Sequence, residues 1–166
     1  MITKEITEKL RSHETPFYYY DTEMLHEILQ VASGEAANRG FHVHYAVKAN
    51  FNPVIMKIIA GYGLGADCVS GNEVTHAIEC GFPAGETVFA GVGKSDREIE
   101  TALTLGIKCF NVESAAELEV ISEIAGKMGK VASVALRINP NVEAHTIKHI
   151  TTGTDENKFG IRIAEL

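Results

Sequence analysis

The sequence has no tryptophan, only three cysteines and no long apolar run. The cysteines, Cys68, Cys80 and Cys109, are odd in number and far apart, which argues against a disulfide framework or a zinc knuckle. We therefore expect free thiols in a reducing, cytoplasmic environment. Because no stretch reaches about 18 consecutive apolar residues, we expect no membrane span.

Positive charge is also scarce. The chain carries 15 Lys and Arg against 22 Asp and Glu, a formal net charge of −7. An acidic surface repels a phosphate backbone, so nucleic acid is not an expected partner. The N-terminal stretch MITKEITEKLRSHE mixes charged and apolar residues without an apolar core, which predicts no signal peptide. The remaining composition, 45% hydrophobic over 166 residues, is that of a soluble domain with a core.

A repeated unit runs through the middle of the chain. LGADCV, TVFAGV and KCFNVE each read as a short strand, and each leads through Ser-x-x-Glu into an apolar-periodic helix. Ser-x-x-Glu is the capping box, in which serine and glutamate satisfy free N–H groups of the first helical turn. Its three instances are Ser70 with Glu73, Ser95 with Glu98, and Ser114 with Glu117. The glycines predicted to end these helices in the left-handed conformation are Gly81, Gly106 and Gly126.

Two flanking strands extend the series to β-α-β-α-β-α-β-α-β. HVHYAVK precedes Asn52 and Pro53, a helix cap and a first helical residue, and VASVALRI follows the last unit. Strands alternating with helices predict a parallel sheet. Each flanking strand has one apolar face and one face of small or polar residues. A doubly wound sheet, the alternative, should be apolar on both faces. We therefore predict an α/β fold, a partial (β/α)8 TIM-type barrel of about five βα units.

Charged residues stand at the carboxyl ends of three of these strands, where barrel enzymes carry their chemistry. They are Lys48, Asp67 and Arg137. A lysine held in a barrel mouth can form a Schiff base with an aldehyde, because desolvation and nearby positive charge free its amine. Ala46, two residues earlier on the same face, would leave room for a flat ring. The alternative is a lysine whose stem packs on the fold while its ammonium reaches water.

A family resemblance covers residues from about Thr15 to Ile161. The stretches that carry it are, in order, TPFYYYD, HYAVKAN, GADCVSGNE, FAGVGKSDREIETAL, FNVESAAELEVI, LRINPNVEAHT, ITTG and NKFGI. Together they resemble the N-terminal half of the diaminopimelate decarboxylase family, whose members are pyridoxal-phosphate (PLP) enzymes of the alanine-racemase-like barrel class. YAVKAN alone is typical of the wider group, which includes ornithine and arginine decarboxylases. Ile147 departs from the family pattern, which often has a second histidine there.

The resemblance implies a cofactor, a reaction and roles for three residues. The cofactor is pyridoxal 5′-phosphate, and Lys48 is the lysine that holds it as a Schiff base and later transfers protons. Asp67 matches an aspartate near that lysine, and Arg137 matches an arginine in the polar surroundings of the cofactor. The implied reaction is the decarboxylation of meso-diaminopimelate to L-lysine, with a small amino acid as substrate and a homodimer as the complete enzyme.

The resemblance also implies that the barrel is incomplete. Residues 1–21 are expected to form a helix and a strand that belong with a β domain made mainly from later sequence. Residues 22–166 are expected to form an incomplete PLP-binding barrel, with a fifth helix starting in FGIRIAEL. An eight-stranded barrel needs roughly 250 residues. We therefore expect an N-terminal fragment that lacks decarboxylase activity by itself, labels weakly with PLP and self-associates through its open edge.

Several alternatives stay open at this point. The same barrel could serve a polyamine-type decarboxylase, an alanine-racemase-like enzyme or a non-catalytic PLP carrier. GYGLGA has the glycines of a dinucleotide motif, but it ends a helix and opens a strand, which is the reverse order. His145 and His149 have the spacing of a helical metal pair but lack an adjoining glutamate, so no metal site is expected. Residues 141–157 are predicted to form a loop that borders the substrate space.

Overall fold

The computed structural model describes residues 3–140 and 160–163. The six α-helices of this part are α1 Lys4–Leu10, α2 Thr22–Asn38, α3 Pro53–Ala60, α4 Gly71–Glu79, α5 Asp96–Leu105 and α6 Ala115–Lys127. Its strands are β1 His44–Ala46, β2 Gly65–Cys68, β3 Thr87–Phe89, β4 Cys109–Val112, β5 Val134–Leu136, β6 Ile138–Asn139 and β7 Ile161–Arg162. The pair His145 and His149 and the predicted loop 141–157 lie outside the described residues.

The sheet confirms the predicted parallel architecture. Strands β1 to β5 form one sheet in the order β1-β2-β3-β4-β5, and every pair is parallel. A doubly wound sheet reverses its strand order at a switch point, whereas barrel strands follow one another in sequence. The observed order is therefore that of a barrel segment. Strands β6 and β7 form a separate parallel pair.

The core lies between the sheet and its helices. Ala66 and Cys68 of β2 are fully buried, as are Phe110 and Val112 of β4, and Phe89 of β3 joins them. The residues that alternate with these point to the opposite face of the sheet, because successive strand residues face opposite ways. The helices thus cover one face of the sheet. The other face carries smaller and more polar side chains, as predicted.

The glutamate of the Ser-x-x-Glu pattern accepts from different backbone N–H groups in different units. Ser70 Oγ accepts from the Glu73 N–H at 3.2 Å, and the Glu73 carboxylate accepts from the Val69 N–H at 2.9 Å, one residue before the cap. The third unit repeats this arrangement with Ser114, Glu117 and Glu113. Each of these glutamates therefore ties the end of a strand to the helix that follows it.

The second unit links two helices to each other. Glu98 Oε2 accepts from the backbone N–H of Ser95 at 2.9 Å, which closes the predicted capping box. Glu98 Oε1 accepts from the N–H of Gly71, the first residue of α4, at 2.7 Å. Gly71 leaves the space for this contact, since a Cβ there would lie 2.5 Å from Glu98 Cγ. One carboxylate thus caps α5 and holds α4 beside it.

One local prediction, the helix end at Gly126, is wrong. The strand expected in TPFYYYD to pair with a β domain from later sequence stays a prediction, and residues 14–21 belong to no strand of the described region. A strand needs a hydrogen-bonding neighbour, and Tyr20 instead uses its hydroxyl to accept from Asn50 Nδ2 at 3.1 Å. Gly126 lies inside α6, and the left-handed residue that follows the helix is Gly129, with φ 64°. Within FGIRIAEL, strand β7 forms because buried Ile161 pairs with Ile138, and residues 164–166, in which the predicted helix would continue, lie outside the described residues.

Two predictions about the chemistry of the chain can be compared with the structure. Cys68, Cys80 and Cys109 are free thiols, as predicted. Burial raises the pKa of each thiol, and that of Cys68 rises to about 12. Such thiols are poor nucleophiles near neutral pH, because the thiolate is the reactive form. Among the helices in residues 3–140 and 160–163, none is both long and apolar enough to cross a membrane.

The bridging carboxylate of Glu98 predicts an acid-dependent stability. Hydrogen bonds from the backbone of Ser95 and Gly71 lower the pKa of Glu98 below its ordinary value. Its stabilisation is therefore full above the ordinary glutamate pKa of about 4.3 and is lost as the pH falls through the lower folded-state value. We expect Glu98→Gln to lower the free energy of unfolding at pH 7 by about 1 kcal/mol. Urea unfolding at pH 7 and pH 3 should show that this difference shrinks in acid.

Glu100→Gln is the matched control, because Glu100 is an exposed carboxylate on the same helix. It should leave stability nearly unchanged at both pH values. An equal loss of stability for Glu98→Gln at pH 7 and pH 3 would contradict the assignment of the effect to the charged carboxylate.

Candidate active site

Lys48 lies just beyond the end of β1, in a single 3-10 turn formed by Val47–Ala49. The sequence predicted that it would end the strand itself, but the strand stops at Ala46. Val47 is fully buried and anchors the turn, while Lys48 is exposed. No hydrogen bond or ion pair joins the Lys48 ammonium to another residue of the described region. Its amine is therefore accessible and uncommitted there.

Asn50 holds this turn from three directions. Its carbonyl oxygen accepts from the Tyr45 hydroxyl at 2.9 Å, and its Oδ1 accepts from the Asn52 N–H at 3.0 Å. Its Nδ2 donates to the Tyr20 hydroxyl at 3.1 Å. Burial raises the pKa of Tyr45, which keeps its hydroxyl a donor. The turn that carries Lys48 is thus fixed to β1, to the start of α3 and to the segment before α2.

Asp67 is the third residue of β2 and stands on the face of the sheet away from the helices. Its backbone pairs with Ala46 of β1 and Val88 of β3. Its Oδ1 atom is buried and has no hydrogen-bond partner within the described residues. A buried carboxylate oxygen without a donor is costly, and a polar group that binds there would offset this cost.

Arg137 follows β5 directly. Its N–H donates to the Val112 carbonyl at 2.9 Å, which continues the ladder between β4 and β5. Its Nη1 lies 3.1 Å from Oε1 and 3.2 Å from Oε2 of Glu113. The Glu113 side chain is 3% exposed and that of Arg137 is 45% exposed. The pair therefore joins a buried carboxylate to a guanidinium on a partly exposed side chain.

A concave pocket of about 350 Å³ lies at the carboxyl ends of the strands. It is lined by Asp67, Ala90, Asn111, Glu113, Ala135, Leu136 and Arg137. The structure thus brings Asp67 and Arg137 together. Lys48 does not line this pocket. It lies at the same edge of the sheet, two residues after Ala46, which pairs with Asp67.

Sequence reasoning did not identify Glu113 and Asn111 as residues of this pocket. The signal was present in the strand period, since Asn111 and Glu113 alternate with buried Phe110 and Val112. The same alternation that led to Asp67 and Arg137 would have found them. Glu113 was overlooked because it adjoins the capping serine of α6 and reads as part of the loop.

A buried lysine supports the pocket from behind. Lys94 Nζ donates to the carbonyl oxygens of Gly91 at 2.7 Å and Asn111 at 2.9 Å, and it lies 2.6 Å from Glu117 Oε1. Its side chain is 1% exposed and its ammonium stands 5.3 Å from the Phe89 ring centroid. Three acceptors occupy the three donors of the ammonium, so this lysine is a structural cation.

Comparison with known proteins places the chain in a family. Residues 27–166 match the family model described as "Pyridoxal-dependent decarboxylase, pyridoxal binding domain". The chain therefore belongs to the pyridoxal-dependent decarboxylases, as the sequence motifs indicated. The cofactor of this family is pyridoxal phosphate, the one predicted.

The chain is also similar to individual decarboxylases. The chain is 55% identical over 160 residues to a diaminopimelate decarboxylase of Bacteroides thetaiotaomicron, covering 96% of this chain and 42% of that protein. It also matches the crystal structure of diaminopimelate decarboxylase from Helicobacter pylori complexed with L-lysine, with 43% identity and a TM-score of 0.83 over 93% of this chain and 39% of that one. A viral arginine decarboxylase, at 20% identity and a TM-score of 0.76, shares the fold. The chain spans about two fifths of the length of these relatives.

The residues at the strand edge fit pyridoxal phosphate chemically. The cofactor offers an aldehyde to an amine, and Lys48 presents an uncommitted one. It carries several negatively charged oxygens, which suit the guanidinium of Arg137. The buried Asp67 oxygen without a partner can take a hydrogen bond from a group that enters the pocket. Lys48, Arg137 and Asp67 therefore present an amine, a cation and an unpaired carboxylate oxygen at one edge of the sheet, and these groups suit pyridoxal phosphate.

The buried contacts of Lys94 predict that substituting this lysine will greatly lower the stability of the fold. Lys94→Met keeps the apolar stem but leaves the Glu117 carboxylate, which is 12% exposed, without its cation. Breaking one partner of a buried pair costs about 3–5 kcal/mol. The control is Lys127→Met, which removes an exposed pair with Glu123 and should cost far less, because such pairs are screened by solvent. Urea unfolding of both variants measures the contrast, and equal losses would contradict the role of Lys94.

Proposed function

We propose that this chain supplies the cofactor-binding lysine of a decarboxylase that converts meso-diaminopimelate to L-lysine with pyridoxal phosphate. The observation that carries the proposal is the uncommitted Lys48 amine at the barrel edge, beside the strand that holds the buried, unpaired Asp67 oxygen. Lys48 also lies within the sequence YAVKAN, a motif typical of this group of decarboxylases, which supports the same role. A cytoplasmic location and assembly as a homodimer are parts of this proposal.

Each proposed site residue has a distinct task. Lys48 would hold the cofactor through its ε-amine, and that amine would carry a proton to or from the reacting carbon. Arg137 would bind a negatively charged oxygen of the cofactor or substrate. Asp67 would accept a hydrogen bond and balance positive charge near Lys48. When bound, the cofactor supplies the electron sink that stabilises the carbanion left by departing carbon dioxide.

The substrate is proposed from the relatives. Those with 42–55% identity are named diaminopimelate decarboxylases, and the Helicobacter pylori protein was crystallised with L-lysine, the expected product. These names favour meso-diaminopimelate over ornithine or arginine. The arginine decarboxylase similarity, at 20% identity, supports the barrel and gives no argument for its substrate.

A chimaera tests the proposed role of Lys48. This chain would replace the matching 160 residues of the Bacteroides thetaiotaomicron relative, which is 55% identical over that length. We expect the chimaera to release carbon dioxide from meso-diaminopimelate. Borohydride reduction in the presence of pyridoxal phosphate, followed by peptide mapping, should locate the adduct on Lys48.

Lys48→Ala should abolish both carbon dioxide release and the mapped adduct. The matched control is Lys57→Ala, which removes another exposed lysine, on α3, and should leave both intact. Activity that survives Lys48→Ala, or an adduct on another lysine, would contradict the proposal. Preferred turnover of ornithine or arginine would favour the alternative decarboxylases.

We also propose that the isolated chain self-associates through its β5 side. Val131 is 97% exposed, and Val134, Leu136 and Ile138 are each about two fifths exposed. An edge strand with exposed apolar side chains is prone to pairing. Sedimentation velocity should show concentration-dependent dimers or larger species, and Val131→Lys with Val134→Lys should reduce them. Val54→Lys, at an exposed valine of α3, is the control. A monomer at all concentrations would contradict this proposal.

A further inference from the structure

The side chain of Lys48 does not fix the position of its own amine. It is exposed, so no packing restrains it, and a lysine ammonium stands on a flexible four-carbon stem. A reactive group is held near its productive position by the packing and hydrogen bonds of the residues around it. The position of the Lys48 amine therefore depends on the backbone of its turn, Val47–Ala49.

Tyr45 bridges the two ends of this turn. Its hydroxyl donates to the Asn50 carbonyl oxygen at 2.9 Å, five residues later in the chain. Its ring stacks on that of Phe82, with ring centroids 6.4 Å apart and an interplanar angle of 13°. Phe82 is 2% exposed, so the ring that carries the hydroxyl is held against the core. Lys48 therefore lies within a short loop of chain that this hydrogen bond closes.

His76 of α4 fixes the chain that follows the turn. Its Nε2 atom lies 2.9 Å from the Phe51 carbonyl oxygen, and the two rings meet edge to face at an angle of 77°. Because a carbonyl oxygen only accepts, this nitrogen carries the proton and donates. Asn52 then caps α3, since its Oδ1 accepts from the Val54 N–H at 2.9 Å. Asn50 thus lies between Lys48 and a stretch of chain that two helices hold in place.

The side chain of Asn50 adds a contact with a distant segment. Its Oδ1 accepts from the Asn52 N–H at 3.0 Å, and its Nδ2 donates to the Tyr20 hydroxyl at 3.1 Å. Tyr20 belongs to the segment before α2 and stands 30 residues from Asn50 in the sequence. The Tyr20 ring also stacks on that of Tyr18, at an interplanar angle of 19°. One amide therefore joins residues 14–21 to the Lys48 turn and to the start of α3.

We propose that Asn50 is a positioning residue, which couples the placement of the Lys48 amine to the docking of residues 14–21 through Tyr20. Its acceptor fixes the turn to α3, and its donor fixes the turn to the Tyr20 hydroxyl. A coupling of this kind is reciprocal, so a change at either end alters the other. The inference deepens the proposed function and rests on it for the identity of the aldehyde that Lys48 takes up.

The docking of Tyr20 can be tested in the full chain without the cofactor. The chain has five tyrosines, so fluorine NMR of the chain labelled with fluorotyrosine gives few signals, and Tyr20→Phe assigns that of Tyr20 by its loss. We expect Asn50→Leu, which keeps the size of the side chain but removes its polar atoms, to move the Tyr20 signal toward its position in the urea-unfolded chain. Asn72→Leu, at an exposed asparagine of α4, should leave the signal in place. A Tyr20 signal that does not move in Asn50→Leu would overturn the proposal.

Lysine labelling provides the second readout, which reports the placement of the amine. The full chain is treated with pyridoxal phosphate and borohydride, and peptide mapping gives the ratio of the adduct on Lys48 to that on Lys57, an exposed lysine of α3. Both lysines meet the same reagent in one sample, so the ratio corrects for differences in reagent and overall yield. We expect Asn50→Leu to lower this ratio about tenfold, because two side-chain hydrogen bonds are lost, and Tyr20→Phe to lower it about threefold, because one is lost. An unchanged ratio in both variants would contradict the role of Asn50.

A mutant cycle tests whether Asn50 acts together with Tyr20. Tyr20→Phe should add no further loss in the Asn50→Leu background, and additive losses would overturn the coupling. Tyr18→Phe is the matched control, because Tyr18 is 88% exposed and phenylalanine keeps its stacking on Tyr20. It should leave the labelling ratio unchanged.

Circular dichroism shows whether each variant is folded. If Asn50→Leu unfolds, Tyr20→Phe alone decides the proposal, because it removes one hydroxyl from a side chain that is 43% exposed. A folded Tyr20→Phe variant with an unchanged labelling ratio would then overturn it. Absence of any Lys48 adduct in the unchanged chain would count against the proposed function, whereas the fluorine NMR result would still decide whether Asn50 docks Tyr20.

Discussion

The buried ammonium of Lys94 is the contact on which the active edge of this fold depends. It binds the loop after β3, the backbone of β4 and the first turn of α6 at once, through Gly91, Asn111 and Glu117. The loop after β3 belongs to one βα unit, and β4 and α6 belong to the next. A single cation with three donors aligns them, because removing it would leave a buried carboxylate and two carbonyls unpaired. The contacts of Lys94 therefore support the edge of the sheet that carries Asn111, Glu113 and Arg137.

The same edge divides into a rigid part and an exposed part. Asp67, Glu113 and the β5 end are fixed by strand register and by buried polar contacts. Lys48 stands outside this frame, on a short turn anchored by Val47 and Asn50, with its amine free to react among the described residues. This arrangement suits the proposed role of Lys48, which is to hold a cofactor and transfer a proton.

Much of this could be predicted from the sequence, because the signals were local. Three Ser-x-x-Glu caps in phase with short strands predicted the parallel βα order, and strand alternation placed Asp67 and Arg137 on one face. What failed depended on contacts between distant residues. Strand β1 ends at Ala46 because Val47 turns into the core, and the contact of Tyr20 with Asn50 was not predicted. The additional roles of Glu98 and Glu117, as links between units, also needed the tertiary structure.

A crystal structure of the borohydride-reduced chimaera described above tests the central claim most directly. That claim is that Lys48, Asp67 and Arg137 share one cofactor site at the carboxyl edge of the sheet. The account predicts continuous density from Lys48 Nζ into the cofactor, with Asp67 and Arg137 both within hydrogen-bond distance of it and Arg137 still paired with Glu113. Density attached to a different lysine, or a cofactor that contacts neither Asp67 nor Arg137, would contradict it.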